Sequence, residues 1–389
     1  MKRIDQLDLA GKRVFIRVDF NVPLQGGAVT DASRIEAALP TIEYARAAGA
    51  KTILASHLGR PKGQVVADLS LAPVVRILRK KLATEVALAP DCVGPRVEKM
   101  VAELAEGDVL MLENLRFHEA EEKNDAGFAR QLASLADVYV DDAFGTAHRA
   151  HASTAGIASY VDERAAGFLL QRECEYLGRV MSAPQRPLVA ILGGAKVSDK
   201  IVVIRSLLQR VDSLLVGGAM AYTFLRAGEI ATGDSLVEEQ HLALAEELRN
   251  EARRRGVELL LPTDHVVAPS PADAARATTV EGAIPDGQMG LDIGPATSQR
   301  FSEIIAGAGT VIWNGPLGMF EVPPFDAGSM AVANALADSD AVTIIGGGDS
   351  VAAIKRSGRA GDITHISTGG GASLEFLEGK ILPGLAALE

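Results

Sequence analysis

The chain has 389 residues, 48% of them hydrophobic and 23% charged, which is too long for one ordinary core and too apolar for general disorder; at ~150 residues per domain, two units is the simpler division. A formal net charge of −11 argues against a duplex nucleic-acid binder. Asp5 and Asp8 stand where a leader needs an apolar stretch, and no run of ~18 apolar residues occurs, so the expectation is a cytoplasmic protein that neither enters a membrane nor is secreted.

In the first half, short β-rich apolar runs are expected as strands at Arg13 to Asp19, Lys51 to Ser56, Glu85 to Ala89, Asp108 to Leu112 and Asp137 to Val140. Helical patterns separate them. In Asp31 to Ala48, for example, Ile35, Ala38, Leu39, Ile42 and Ala45 recur at three- and four-residue spacing before Gly49 stops the pattern. The stretch Val161 to Met181, ended by Ser182, Ala183 and Pro184, predicts a connecting helix with a hinge. The second half repeats the design at Leu188 to Leu192, Ser213 to Val216, Glu258 to Leu261, Thr310 to Trp313, Val342 to Ile345 and His365 to Ser367.

Strand and helix alternation of this kind implies βαβ units, and some eleven strands exceed what one open sheet carries comfortably. The expected fold is therefore α/β: two doubly wound domains, each a mostly parallel sheet with helices on both faces, joined by a hinge helix. The boundaries fall at 1–165, 166–182 and 183–371. Cys92 and Cys174 lie far apart and without His or Cys partners at metal-ligand spacing, so both read as free thiols. His148 and His151 sit three apart, but no third and fourth zinc ligand follows at a recognisable spacing.

Ligands of open α/β sheets bind beyond the carboxyl ends of the strands. In the first half those positions hold VDFNVP (Val18 to Pro23), HLGRP (His57 to Pro61), LENLRFH (Leu112 to His118) and AHRAH (Ala147 to His151). Guanidinium groups bind phosphate and carboxylate bidentately, so Arg34, Arg60, Arg116 and Arg149 can together hold a small ligand with two anionic ends. Surface salt bridges are the alternative for any one arginine alone.

In the second half the same positions are rich in glycine. GGAKVSDK (Gly193 to Lys200) follows a strand and is expected to open a helix with Ser198 or Asp199 as cap, placing amides and two lysines near phosphate. It is not a Walker A loop, and a tight corner with solvated lysines is its plain structural reading. GGGDS (Gly346 to Ser350) offers Asp349, a hard oxygen of the kind Mg²⁺ prefers, and a second glycine triplet occupies Gly369 to Gly371. In WNGPLGMFE, Glu321 can hold a ribose, while Trp313 reads equally well as core. Glycine loops would also suit a dinucleotide fold, yet GxGxxG with its following acidic residue is missing from the first βα turn of either half.

Read together, RVDFNVP, SHLGRP, LENLRFH, DDAFGTAHRAH, GGAKVSDK, WNGPLG and GGGDS resemble the motif series of the phosphoglycerate kinase family, in that family's order and from residue 17 to residue 350. The resemblance implies that Asp19, Phe20, Asn21, Arg34, His57, Leu58, Gly59, Arg60, Arg116 and Arg149 bind the 3-phosphoglycerate moiety, with Arg34 also catalytic. By the same resemblance Lys196 stabilises the transferring group, and the amides at Gly369 and Gly370 are expected to assist it. It also implies that Lys200 contacts nucleotide phosphates, Glu321 meets the ribose, and Gly347, Gly348, Asp349 and Ser350 hold phosphates and magnesium. Gly290 and Asn314 look like adenosine-pocket positions, and Ser350 stands where many relatives carry Thr. The implied ligands are ADP or ATP with Mg²⁺ and small-molecule acids, acting on a monomer that closes between its domains and returns residues 372–389 to the first. An oxidoreductase using NAD, and a catalytically silent anion-binding protein, are the rival expectations.

Overall fold

The computed structural model describes residues 1–389 and divides into two compact units, one formed by Met1–Glu175 with Ile381–Glu389 and the other by Tyr176–Lys380. In the first unit the strands are β1 (Arg13–Val18), β2 (Leu24–Gln25), β3 (Ala28–Val29), β4 (Lys51–Ala55), β5 (Val86–Leu88), β6 (Val109–Met111), β7 (Val138–Asp142) and β8 (Glu163–Ala166). Six of them form a sheet in the order β5-β6-β4-β1-β7-β8, with every pairing parallel, and β2 with β3 makes a separate small hairpin. Val14, Phe15, Ile16 and Val18 of β1 are all fully buried, as expected of a central parallel strand covered on both faces.

Strand β1 is flanked by β4 on one side and β7 on the other, so the chain reverses its direction across the sheet beside β1. The carboxyl ends of β1, β4, β6 and β7 therefore frame the crevice in which such sheets take ligands. The helix expected from Asp31 runs over Ser33–Ala47 and buries Ile35, Ala38, Ile42 and Ala45 against this sheet's core.

The connecting segment differs from expectation. Val161 to Met181 is not helical throughout, because Glu163–Ala166 pairs with β7 as an edge strand and the helix begins only at Phe168. The start is fixed by side chains. Asp142 Oδ1 accepts the N–H groups of Leu169 and Leu170 at 2.9 and 3.1 Å, and Thr41 Oγ1 accepts that of Phe168 at 2.9 Å, satisfying donors that a helix leaves open. The helix ends at Ser182, and the division between the units falls inside it, after Glu175. The returning tail is also shorter than 372–389: the helix Gly371–Leu377 stays with the second unit, where Ser206 Oγ donates to Leu377 O at 2.7 Å, and only Ile381–Glu389 joins the first.

The second unit contains β9 (Leu188–Leu192), β10 (Ser213–Val216), β11 (Glu258–Leu260), β12 (Asp264–Ala268), β13 (Thr278–Glu281), β14 (Met289–Ile293), β15 (Thr310–Asn314), β16 (Val342–Gly346) and β17 (His365–Ile366). Six form a parallel sheet in the order β11-β10-β9-β15-β16-β17. The chain moves outward from β9 to β11 and then crosses back to β15, so the order reverses between β9 and β15. Trp313 is fully buried in this core, which settles its packing role. Three strands not anticipated from sequence, β12, β13 and β14, form an antiparallel sheet inserted between β11 and β15.

Candidate active site

In the first unit the strand ends bring Arg17, Arg34 and Arg116 around one imidazole. Arg17, the last-but-one residue of β1, is fully buried; its Nε donates to Ser153 Oγ at 2.8 Å, and its Nη2 lies 3.3 Å from His57 Nδ1. Burial and the guanidinium groups of Arg17, Arg116 and Arg34 hold His57 well below the usual imidazole range. His151 is pushed down to about 3 by burial and by Arg17, Arg116 and Arg149. Two histidines kept neutral by several arginines mark a concentrated positive field, suited to a polyanion.

The loops that carry these groups are tied together. Arg34 Nη1 donates to Asp19 Oδ2 at 2.7 Å, Asn21 Oδ1 accepts the N–H of Gly59 at 2.9 Å, and Ser56 Oγ accepts that of Phe20 at 2.8 Å. Asn114 Oδ1 accepts the N–H groups of Leu58 and Arg116 at 3.2 and 3.0 Å, while Arg116 Nη1 donates to Gly59 O at 3.0 Å. Gly59 has φ +64°, a conformation that favours glycine. Arg60 and Arg149 are exposed, and Arg149 Nε contacts His148 Nε2 at 3.1 Å. A cavity of about 540 Å³ is lined by Asn21, Leu58, Gly59 and the β2–β3 turn residues Gly26 and Gly27.

In the second unit a cavity of about 470 Å³ is lined by Gly290, Glu321 and Asp349, together with Gly194, Tyr222, Leu236, Met289 and Pro316. Three residues read as nucleotide contacts thus share one pocket with an apolar slot and two carboxylates at its wall. Two glycines at or beside this pocket have no room for a side chain: a Cβ on Gly290 would stand 2.1 Å from Tyr222 Oη, and one on Gly193 would stand 2.0 Å from Pro316 O. Gly193 N–H donates to Asn314 O at 3.0 Å, which closes the switch point between β9 and β15.

Lys200 lies at that switch point and donates to Asn314 Oδ1 at 2.5 Å and Asn314 O at 3.1 Å. Burial pushes it down to about 8, with Asp199 and Asp349 acting in the opposite direction. Asn314 therefore holds Lys200 and is absent from the pocket wall. Ser350 is fully buried and accepts the N–H of Gly315 at 2.5 Å, whereas Gly348 and Asp349 are exposed at the start of the helix Gly348–Arg356 that follows Gly347.

Ser198 does not cap a helix as expected. Its N–H and hydroxyl both donate to Glu238, at 3.0 and 2.6 Å, and Ser198–Lys200 forms a short 3₁₀ turn before the helix Ile201–Leu208. Lys196 is exposed. Gly369 N–H donates to Ser367 Oγ at 3.1 Å, and Gly370, with φ +53°, precedes the helix Gly371–Leu377.

Arg17 enters the sequence reading as the first residue of RVDFNVP, and Glu121 and Ser153 are passed over entirely. Ser153 gives its N–H and its hydroxyl to Glu121 at 2.9 and 2.5 Å. Glu121 belongs to the run Glu119-Ala120-Glu121-Glu122, which reads as a solvated helix start, yet Glu121 alone of its three glutamates is buried.

Similar proteins span nearly the whole chain. The family model described as phosphoglycerate kinase matches residues 4–380. The chain is 58% identical over 393 residues to the phosphoglycerate kinase of Anaeromyxobacter sp. (strain Fw109-5), covering 100% of this chain and 99% of the relative. It is 60% identical over 386 residues to that of Moorella thermoacetica, covering 99% and 98%. The solved structure of phosphoglycerate kinase from Coxiella burnetii superposes with a TM-score of 0.91 at 43% identity, covering 99% of this chain and 98% of that one. With an arginine-ringed strand end in one unit, a glycine-lined pocket in the other and matches that span both, the chain belongs to the phosphoglycerate kinase family and is a phosphotransferase of glycolysis.

Proposed function

We propose that the first unit holds the 3-phosphoglycerate moiety and the second holds the magnesium nucleotide, so that the chain moves a phosphoryl group between 1,3-bisphosphoglycerate and MgADP. The observation that carries this reading is a pair of sites: Arg17 meets His57 at the strand ends of the first unit, and Gly290, Glu321 and Asp349 line one pocket of the second. Four guanidinium groups, Arg34, Arg60, Arg116 and Arg149, supply charge-assisted donors for an acid with a carboxyl and a phosphate. Asp19 and Asn21 orient Arg34 and the Gly59 loop.

On the nucleotide side, the apolar slot beside Gly290 takes the base and Glu321 takes the ribose. Lys200 and the amides of Gly347 and Gly348 face the phosphates at a helix start, where negative charge is favoured. Asp349 fits a magnesium site, being an exposed carboxylate on the pocket wall that also reaches the Lys200 ammonium electrostatically. When bound, Mg²⁺ neutralises phosphate charge during transfer.

Transfer is direct and in line, so the residues act by position and charge rather than by covalent bonding. Arg34 and Lys196 stabilise the charge on the moving group. Gly370 amide assists, and Gly369 joins it only on exchanging its bond to Ser367 Oγ. A coupled assay tests the whole reading: ATP formation from ADP and 1,3-bisphosphoglycerate is expected with magnesium and not without it, and equal rates in both would reject the magnesium role. Placing donor and acceptor on separate units also requires the two ligands to approach. X-ray scattering is expected to show compaction when both substrates are present, and unchanged dimensions would sink closure.

A further inference from the structure

The hydrogen bonds beneath the arginine cluster run in one direction. Glu121 is fully buried and receives both the N–H and the hydroxyl of Ser153. The Ser153 oxygen, having given its proton to Glu121, is left as acceptor for Arg17 Nε at 2.8 Å. Arg17 in turn meets Val18 O through Nη1 and His57 Nδ1 through Nη2 at 3.3 Å. Tyr139 Oη clamps the segment from below, donating to Ser153 O and Thr154 O at 3.0 and 3.2 Å.

A guanidinium group has donors and no acceptor, so the atom of His57 facing Arg17 must present a lone pair. The ring proton of a neutral His57 then sits on Nε2. Nε and both terminal nitrogens of Arg17 each donate within the protein, which separates Arg17 from the exposed Arg60 and Arg149 and makes it a support for another residue. Which imidazole nitrogen carries the proton is set by the bond made at the other one.

We propose that Glu121 and Ser153 are positioning residues for the anionic substrate: through Arg17 they fix His57 as the Nε2–H tautomer, a neutral donor offered to a substrate oxygen. This rests on the reading that His57 binds 3-phosphoglycerate. A neutral donor here avoids one more full charge among Arg17, Arg34 and Arg116, and a fixed tautomer means that the acid meets one binding-competent form rather than a mixture. Glu121 orients the relay by accepting both donors of Ser153, whose oxygen then faces Arg17 as a single directed acceptor.

Histidine-selective ¹⁵N spectra of the full chain test the relay. Wild-type His57 is expected as the Nε2–H tautomer, with a signal that moves on adding 3-phosphoglycerate. In Glu121→Gln and in Ser153→Ala, His57 is expected to become a tautomer mixture. The KM for 3-phosphoglycerate should rise by about tenfold and up to roughly a hundredfold, while the KM for ATP stays unchanged. A purely structural role would lower the melting temperature without moving the tautomer. Should Glu121→Gln not fold, Ser153→Ala removes one hydroxyl, adds no volume and carries the test. If 3-phosphoglycerate leaves the wild-type His57 signal unmoved, the site reading falls. If it moves that signal but neither variant alters the tautomer, or if the wild type carries its proton on Nδ1, the relay falls.

Discussion

The two units build closely related parallel sheets and furnish their ligand edges with different materials. In the first, charge comes from side chains: Arg34 is held by Asp19, Arg116 by Gly59 O, and both act on a buried His57. In the second, space comes from the main chain: Gly193, Gly290 and Gly315 leave no room for a Cβ, and one ammonium, Lys200, is pinned across the switch point by Asn314. Guanidinium groups suit a small acid whose two ends must be told apart, because their planar forks are directional. A polyphosphate repeating along its length is better served by amides at helix starts and by a backbone that can come close.

Substitutions can break this contrast. The largest effect is expected for Arg34→Ala, which removes the guanidinium proposed to stabilise the moving group and leaves Asp19 without its ion-pair partner. Turnover should fall ~10²- to 10³-fold with the protein still folded by circular dichroism, and wild-type turnover would remove Arg34 from the mechanism. Gly290→Ala should act on the other side only. Its Cβ would enter the space of Tyr222 Oη, so the KM for ATP should rise about tenfold, equivalent to ~1.4 kcal/mol, while the KM for 3-phosphoglycerate stays put. A change in both constants would mean that the two sites are not built independently.

The smallest expected effects are on stability against pH, and they carry opposite signs in the two units. Asp142 is raised from 3.8 to about 7 by burial, so the folded chain binds the extra proton in that interval and this group's stabilisation is lost as pH climbs through it. Lys200 is lowered from 10.5 to about 8, so the unfolded chain binds more protons between those values and stability rises with pH there. Urea titrations of Asp142→Asn and Lys200→Met should each flatten one slope and leave the other, and an unaltered curve for either variant would remove its assignment.

Much of this was legible in the sequence where one residue's neighbours in the chain decide its fate. Continuous apolar runs such as Leu188–Leu192 have one comfortable home, a strand covered on both faces, and the polar residues that follow must lie at the sheet's ligand edge. Legibility failed where partners come from afar. Glu163–Ala166 is an edge strand, half of it only partly buried, which gives no apolar run to notice. Thr278–Glu281 is exposed at three of its four positions, and the sheet that includes it is fixed by β12 rather than by its own composition. Ser198 looks like a cap until Glu238, 40 residues on, takes both its protons. Glu121 sits among acidic neighbours and is drawn inward by Ser153, 32 residues away.

The last residues of the chain have an implication for synthesis. Gly384 packs on Ala147, so closely that a side chain there would stand 3.0 Å from Ala147 Cα, and its N–H bonds Ala147 O at 2.9 Å. That backstop supports the loop bearing Arg149. A ribosome makes Ala147 long before Gly384, so this contact closes only after the residues of the second unit have been synthesised.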